Sequence, residues 1–294
     1  MGDFHRHSLL RFNRREFLKT TGTAALLFCG GISLRGCSPD SEEDYESGPD
    51  GYRKLKEEEK NYYVSRKDKL MKQYDRSSRS YKKILARDFE EVRVDKWIAE
   101  ASELYEDLIP QLPYIGGDKN SFTKYIVYSS MLMPMVKIMR NEGLPERKNG
   151  QIIYDVSADI YNSIPTPIRW YLRWGYFGEK KKRQMRQAAE RSQRRQYPGD
   201  WVLEFVEGDG KTYAYGLNMR ECGIVKLWRS HGLEQFIPYN CLTDFAMWRT
   251  IGIEAKRTQT LANGGTHCDF RYIKKGWRGP LGWPPESNPE WNVG

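Results

Sequence analysis

The chain has 294 residues, of which 39% are hydrophobic and 30% are charged. This length is sufficient for one sizeable hydrophobic core and for one or two domains. The formal net charge is +9, and residues 1–36 contribute +4 of it, because six basic side chains there outnumber two acidic ones. The remaining +5 is a modest balance that is typical of a solvated surface. No RNA- or DNA-binding motif accompanies it, so the sequence argues against a nucleic-acid partner.

The N-terminal residues 1–36 have the features of an export signal. Arg14 and Arg15 begin the sequence RREFLK, which resembles the twin-arginine export motif, although residue 13 is asparagine where that motif has serine or threonine. Residues 20–34 are moderately apolar but too short and too polar for a stable transmembrane helix. The alternative interpretation is an amphipathic N-terminal helix with a chance pair of arginines.

The sequence LRGC at residues 34–37 resembles a lipobox, in which the cysteine, here Cys37, becomes the lipidated first residue of the mature chain. Arg35 stands where a small residue is usual. Residues 37–51 are rich in Ser, Pro, Asp and Glu and are expected to form a flexible tether. We therefore expect the twin-arginine translocase as an export partner, a lipid anchor in the membrane and a periplasmic location. Cleavage nearby, or an uncleaved signal that acts as an anchor, is the alternative.

Residues 52–197 are predicted to be helical. Apolar side chains recur at helix-like intervals over residues 52–93, and a second helix is expected over 94–108. Residues 121–143 read as a largely buried helix, whose four methionines are more typical of a core than of a copper or haem site. Residues 170–196 begin aromatic and continue basic. The basic part is typical of a solvated helix face, and contact with anionic lipid is the alternative.

Residues 198–276 have the pattern of a small sheet. Residues 201–208 and 211–219 predict a hairpin around an Asp-Gly turn. Helices are expected over 222–230 and 238–248, followed by strands 253–262 and 267–275, which an Asn-Gly-Gly turn would join.

The predicted fold class is therefore α+β, with a helical N-terminal half followed by a small antiparallel sheet and two helices inserted between its hairpins. Together these segments form one domain over residues 52–276. The Pro- and Trp-rich tail, 277–294, is expected to be irregular.

Three internal cysteines remain once the two in the leader are set aside, namely Cys222, Cys241 and Cys268. An odd number of cysteines in an exported protein indicates a free thiol or a metal ligand rather than a complete disulfide set. With His267 or His231 the thiols would suit a zinc site, and one activated thiolate would suit nucleophilic catalysis. The cofactor is therefore zinc or none. Buried cysteines acting as small hydrophobes, or one disulfide and a spare thiol, are the alternatives.

Side chains alternate along a strand, so Cys268 and Phe270 are expected to share one face of the last strand. His267, Asp269 and Arg271 are expected to share the other face.

Four features of the last third of the chain occur in order. Cys222 follows a predicted strand, PYNC at 238–241 precedes Asp244, RTQTLA occupies 257–262, and GGTHCDFRY occupies 264–272. Together they resemble the L-2-amino-thiazoline-4-carboxylic acid hydrolase family, most specifically through the two glycines followed by CDFR. The family more usually has an acidic residue at the position of Thr266.

The resemblance implies that a 2-aminothiazoline ring is opened hydrolytically to an N-carbamoyl-cysteine. Water must add to the amidine-like carbon, and the ring sulfur must leave as a thiolate. The implied roles are a nucleophile, Cys268 or Cys241; a base, Asp244 or Asp269; and a site for the substrate carboxylate, Arg271 or Arg257 with Gly264 and Gly265.

A zinc site, if one exists, would use Cys222, Cys241, Cys268 and His267. The function predicted from the sequence is thus an exported, lipid-anchored hydrolase that acts on a small molecule. The alternatives are a non-catalytic envelope lipoprotein that binds thiols, metal or a small ligand, and an envelope interaction protein.

Overall fold

The computed structural model describes residues 51–276 and 282–284. The predicted export motif at Arg14 and Arg15, the predicted lipidation site Cys37, and most of the tail lie outside these ranges. Among the helices that are described, none combines the length and the hydropathy needed to cross a membrane.

The N-terminal half is helical, as predicted. Its helices are α1 (Glu57–Lys60), α2 (Lys67–Leu85), α3 (Glu91–Leu108), α4 (Thr123–Asn141), α5 (Glu146–Asn162), α6 (Thr166–Tyr176) and α7 (Glu179–Ser192). The buried positions of α2, such as Leu70, Tyr74 and Tyr81, follow the helical period that the sequence shows. The four methionines of α4 are all buried, which confirms their assignment to the core.

The C-terminal half carries a four-stranded antiparallel sheet. Its strands are β1 (Val202–Glu207), β2 (Tyr215–Glu221), β3 (Glu254–Lys256) and β4 (Cys268–Ile273), in the order β1-β2-β4-β3. Helices α8 (Gly223–Ser230) and α9 (Ile237–Ile251) lie between β2 and β3 in the chain. The α+β class and the two inserted helices are therefore confirmed.

Both predicted turns are longer than the sequence pattern suggested. Asp209 accepts backbone N–H hydrogen bonds from Lys211, Thr212 and Tyr213, so residues 208–214 form a loop rather than a two-residue turn. The predicted strand over 253–262 ends at Lys256, and residues 257–267 form a second loop with a 3₁₀ turn at Leu261–Asn263. In each case an aspartate side chain captures backbone donors that a strand ladder would otherwise use.

The helical half and the sheet share one core. The buried Ser129 hydroxyl accepts a hydrogen bond from Trp228 Nε1 at 2.6 Å and donates to Asn240 Oδ1 at 3.2 Å, which ties α4 to α8 and α9. Gly150 lets α5 approach α9, because a Cβ there would lie 2.2 Å from Tyr239 Cδ1. The position of α9 is therefore set from two sides.

Helix α9 covers the apolar face of the sheet. The rings of Phe270 and Tyr272, on β4, lie 6.0 and 6.2 Å from the Trp248 ring of α9. Cys268 is buried on the same face of β4. The opposite face is polar, where Glu204 pairs with Arg220. Cys268, Phe270 and Tyr272 are thus shielded from solvent.

Candidate functional site

The three internal thiols lie near one another in the region where α8, α9 and β4 meet. Cys222 precedes the first turn of α8, Cys241 lies in α9, and Cys268 begins β4. All three are free cysteines; Cys268 is buried and the other two are partly buried. They are close enough that Cys222 and Cys268 both raise the pKa of Cys241. The sequence spacing, with no CxxC pattern, does not show this convergence.

Burial keeps the thiols protonated. It raises the pKa of Cys222 to about 12 and that of Cys241 well above its usual value. Burial also raises the pKa of Cys268, and two groups oppose this effect. The backbone N–H of Leu261 donates to Cys268 Sγ at 3.3 Å, and the positive charge of Arg257 favours the thiolate. Cys268 therefore combines a backbone N–H donor with the positive charge of Arg257, and both favour its thiolate.

Arg257 and Asp244 form an ion pair beside these thiols. Arg257 Nη1 lies 2.9 Å from Asp244 Oδ2; the arginine side chain is 1% exposed and the aspartate side chain 39% exposed. Arg257 also donates to the carbonyl oxygen of Cys241 at 3.1 Å. Its guanidinium carbon lies 5.0 to 5.3 Å from three ring centroids, those of Phe245, Trp248 and Phe270. Arg257 is thus a fixed internal cation, and Asp244 is the member of the pair that solvent reaches.

The other polar side chains of β4 face away from the thiols, as alternation along the strand predicted. Asp269 accepts hydrogen bonds from the backbone N–H groups of Thr258 and Gln259, at 2.7 and 3.0 Å. Arg271 donates to Asn218 Oδ1 at 3.0 Å, on the polar face of the sheet. The structure therefore brings Asp244 and Arg257 to the thiols, while Asp269 secures the loop and Arg271 lies on the opposite face.

The two glycines shape the loop that leads to Cys268. Gly264 is exposed with φ +77°, and a Cβ there would have no other atom within 4 Å; the positive φ is what favours glycine at this position. A Cβ at Gly265 would lie 2.8 Å from the carbonyl oxygen of Thr260. These contacts account for both residues through backbone geometry.

The zinc set proposed from the sequence includes one residue on the far side of the strand. His267 Nδ1 lies 3.0 Å from the hydroxyl of Thr266, and its charge acts on Glu204 of the polar face. Within residues 51–276 and 282–284, no group of three or more His, Cys, Asp or Glu side chains is arranged to hold a metal ion. His267 does not fit as a fourth ligand for the three thiols, and zinc stays a prediction.

Sequence reasoning missed a group of tyrosines near Asp244. The negative charge of Asp244 raises the pKa of Tyr128, Tyr176 and Tyr272. Burial is the larger cause, and for Tyr128 it raises the pKa to about 12. The Tyr176 and Tyr272 rings lie 5.2 Å apart. Tyr272 closes the CDFRY motif, but nothing in the sequence connects it with tyrosines of α4 and α6.

Lys181, which the sequence placed in a solvated basic run, differs from that expectation. It is partly buried, and its Nζ lies 5.8 Å from the centroid of the Tyr176 ring. Burial, together with the positive charge of Lys124, lowers its pKa to about 7. The pattern of basic residues along α7 does not distinguish it from its exposed neighbours.

A cavity of about 270 Å³ lies away from the thiols. Its lining includes Leu104 of α3, Met133 and Lys137 of α4, and His231. None of the residues that line it belongs to the thiol site.

Comparison with known proteins identifies a family. The sequence profile of the L-2-amino-thiazoline-4-carboxylic acid hydrolase family matches residues 124–272, just over half of the 294 residues. No curated protein matches the chain, and no solved structure does. The matched span starts in α4, ends in β4, and contains the three thiols together with Arg257 and Asp244. The chain therefore belongs to the L-2-amino-thiazoline-4-carboxylic acid hydrolase family.

Proposed function

We propose that this chain hydrolyses a small cyclic amidine carboxylate of the 2-aminothiazoline class. The observation that carries the proposal is the convergence of Cys241 and Cys268 on the Arg257–Asp244 pair, inside the span that the family profile matches. A thiol, a carboxylate and a fixed cation are the groups needed to attack an amidine carbon, to transfer a proton and to stabilise a thiolate.

Cys268 is assigned as the nucleophile and Asp244 as the base. The Sγ of Cys268 adds to the amidine carbon while its proton passes to Asp244. The bond from that carbon to the ring sulfur breaks, and the ring sulfur takes the proton. Water then adds to the same carbon, and one of its protons passes to the former ring nitrogen. The bond from the carbon to Cys268 Sγ breaks as the carbonyl forms, and the second water proton returns to that sulfur. The balance is one substrate and one water giving one N-carbamoyl-cysteine.

Charge balance at Cys268 explains how a neutral thiol becomes reactive. In the free protein the negative charge of Asp244 raises the pKa of Cys268, and Arg257 lowers it. A protonated amidine bound at the exposed edge of Asp244 would neutralise the negative charge that raises the pKa of Cys268. The positive charge of Arg257, which lowers that pKa, would remain. Binding of the substrate would therefore favour the thiolate.

The proposal extends to the place where the enzyme works. Arg14 and Arg15 in RREFLK, together with Cys37 in LRGC, support export by the twin-arginine route and lipidation. The hydrolase would then act at the periplasmic side of a membrane. Replacing both arginines with lysine and following the chain in periplasmic and cytoplasmic fractions tests this; unchanged periplasmic recovery would contradict it.

The activity test uses purified chain and L-2-amino-thiazoline-4-carboxylic acid. Ring opening releases one thiol per turnover, which a thiol reagent detects, and adds the mass of one water to the substrate. We expect Cys268→Ser and Asp244→Asn to abolish turnover. Arg271→Met, a change on the opposite face of β4, is the matched control and should retain it. Full turnover by the Cys268→Ser protein would end the covalent role.

The test also separates the hydrolase from a metal-binding protein. Stoichiometric zinc in the purified protein, with no ring opening of any aminothiazoline carboxylate, would favour the alternative. In that case the three thiols would be metal ligands rather than catalytic groups.

A further inference from the structure

Helix α6 exposes aromatic side chains that neither the core nor the thiol site uses. None of its residues is buried. Five large apolar side chains are well exposed among the described residues, and three of them lie on this helix: Trp170, Tyr171 and Trp174. The two tryptophans are 72% and 74% exposed. Clustering of this kind marks an interaction site more often than scattered exposure does.

The three aromatic side chains form one stripe that points outward. Trp170 and Trp174 are one helical turn apart, so they lie on the same face. Ile168 and Leu172, on the other side of α6, pack against the core. Arg169 is also turned inward, since its Nε donates to the carbonyl oxygen of Ile164 at 2.6 Å.

Exposed basic side chains lie close to the aromatic stripe. Arg173 donates to the carbonyl oxygen of Lys274 at 3.4 Å, which brings the end of β4 next to α6. Lys274 and Lys275 are exposed there, and Lys180 is exposed at the start of α7. Glu179, the acidic residue in the first turn of α7, pairs with Lys182. The surface is therefore aromatic at its centre and cationic at its rim.

We propose that this aromatic and basic surface, formed by Trp170, Tyr171 and Trp174 with Lys180, Lys274 and Lys275, adsorbs to the headgroup region of an anionic lipid bilayer. Tryptophan and tyrosine favour the membrane–water interface. Lysines close to an anionic surface are attracted to it. The stripe is the outer face of a helix, a shape that can lie in the plane of an interface.

Charge composition favours lipid over a protein partner. Protein–protein interfaces are enriched in arginine and depleted in lysine, whereas the exposed cations beside this stripe are lysines. The proposal requires neither hydrolase activity nor a lipid on Cys37, because it stands on side chains of α6, α7 and the end of β4.

The test is co-sedimentation of the full-length chain with lipid vesicles. The chain carries Cys37→Ser, so that no lipid can be attached, and the vesicles are phosphatidylcholine with or without phosphatidylglycerol. We expect the parent chain to bind the anionic vesicles. The double variant Trp170→Ser, Trp174→Ser should bind them at least about tenfold more weakly. Val92→Ser is the matched control, since Val92 is 83% exposed on α3. The Val92→Ser protein is expected to bind as the parent does. Added salt should weaken binding.

Several outcomes would overturn the proposal. These are equal binding by the parent and the double variant, equal binding to both kinds of vesicle, and absence of binding. A parent dimer that the double variant converts to a monomer, without vesicle binding, would instead assign the surface to a second copy of the chain. Turnover of the aminothiazoline is measured on the same variants, and its loss or retention bears on the proposed function alone.

Discussion

Replacing Arg257 with methionine tests whether the internal cation holds the thiol side of the sheet together. The arginine side chain is 1% exposed, so its charge has no access to water. Methionine is an unbranched side chain that can fill much of the same volume without the charge. The change therefore removes the electrostatic contacts and keeps most of the packing.

The expected loss of stability follows from the contacts of Arg257. The ion pair accounts for about 1 kcal/mol, because Asp244 is 39% exposed and is partly screened by water. The carbonyl oxygen of Cys241 loses a donor, which costs about 1–2 kcal/mol. The three ring contacts contribute roughly 0.5–1 kcal/mol each. Burial of the methionine side chain restores about 1–2 kcal/mol. The net expectation is a protein less stable by about 1.5–5 kcal/mol.

Equilibrium unfolding in urea measures this change. Arg271→Met is the control, because Arg271 is part-exposed and binds on the polar face of the sheet; we expect it to cost less than about 1 kcal/mol. Arg257→Met should also raise the pKa values of Cys241 and Cys268 further, since Arg257 lowers both. Equal losses for the two variants, or a change below about 0.5 kcal/mol for Arg257→Met, would refute the reasoning.

Three further predictions concern ionisation and packing. Burial raises the pKa of Cys222 to about 12, so an alkylating reagent at pH 8 should label Cys222 slowly in the native protein and rapidly in the unfolded chain. Peptide mass spectrometry measures the two rates, and equal rates would contradict this prediction. Lys181 has a folded pKa of about 7, below its usual 10.5, so the unfolded state binds more protons between these values. Stability should rise with pH from 7 to 10, and the urea midpoint of Lys181→Met should lack that contribution; an unchanged pH slope would show that the group titrates normally. Gly150→Ala should lower the free energy of unfolding by about 1–3 kcal/mol, because the added Cβ would meet the Tyr239 ring. An unchanged midpoint in thermal or urea unfolding would show instead that α5 and α9 can move apart without cost.

Regular elements were predictable where one periodicity sets burial over many residues. In α2 the buried positions repeat at helical spacing, and in β4 every second residue from Cys268 to Tyr272 is buried. Each pattern follows from which side of an element meets the core. The sequence therefore contains the element type and also the two faces of β4.

Loop conformation was not predictable in the same way. The turn residues at 209–210 and 263–265 are typical of tight hairpins. The observed loops instead depend on hydrogen bonds from backbone donors to Asp209 and Asp269. The Asp269 bonds reach across from β4 to the residues that follow β3, a tertiary contact that a local turn pattern does not encode.

The residues of the candidate site were also only partly predictable from the sequence. Arg257 and Arg271 were equivalent candidates because both arginines lie in the segments that carry the family resemblance. Only the packing of Phe245, Trp248 and Phe270 around one guanidinium distinguishes them. Lys181 presents the same problem within a run of lysines. Which charge is buried depends on neighbours from distant parts of the chain.

The charges around Cys268 favour a nucleophile that stays protonated until a substrate arrives. A neutral thiol is a weak nucleophile and reacts slowly with oxidants, which suits the exported location proposed for this chain. Arg257 cannot by itself ionise the thiol, because burial and the charge of Asp244 oppose it. The solvent-exposed edge of Asp244 is then where a cationic amidine would change the balance. On this reasoning Asp244→Asn should abolish turnover yet lower the pKa of Cys268, so that the inactive variant is alkylated faster at Cys268 than the parent.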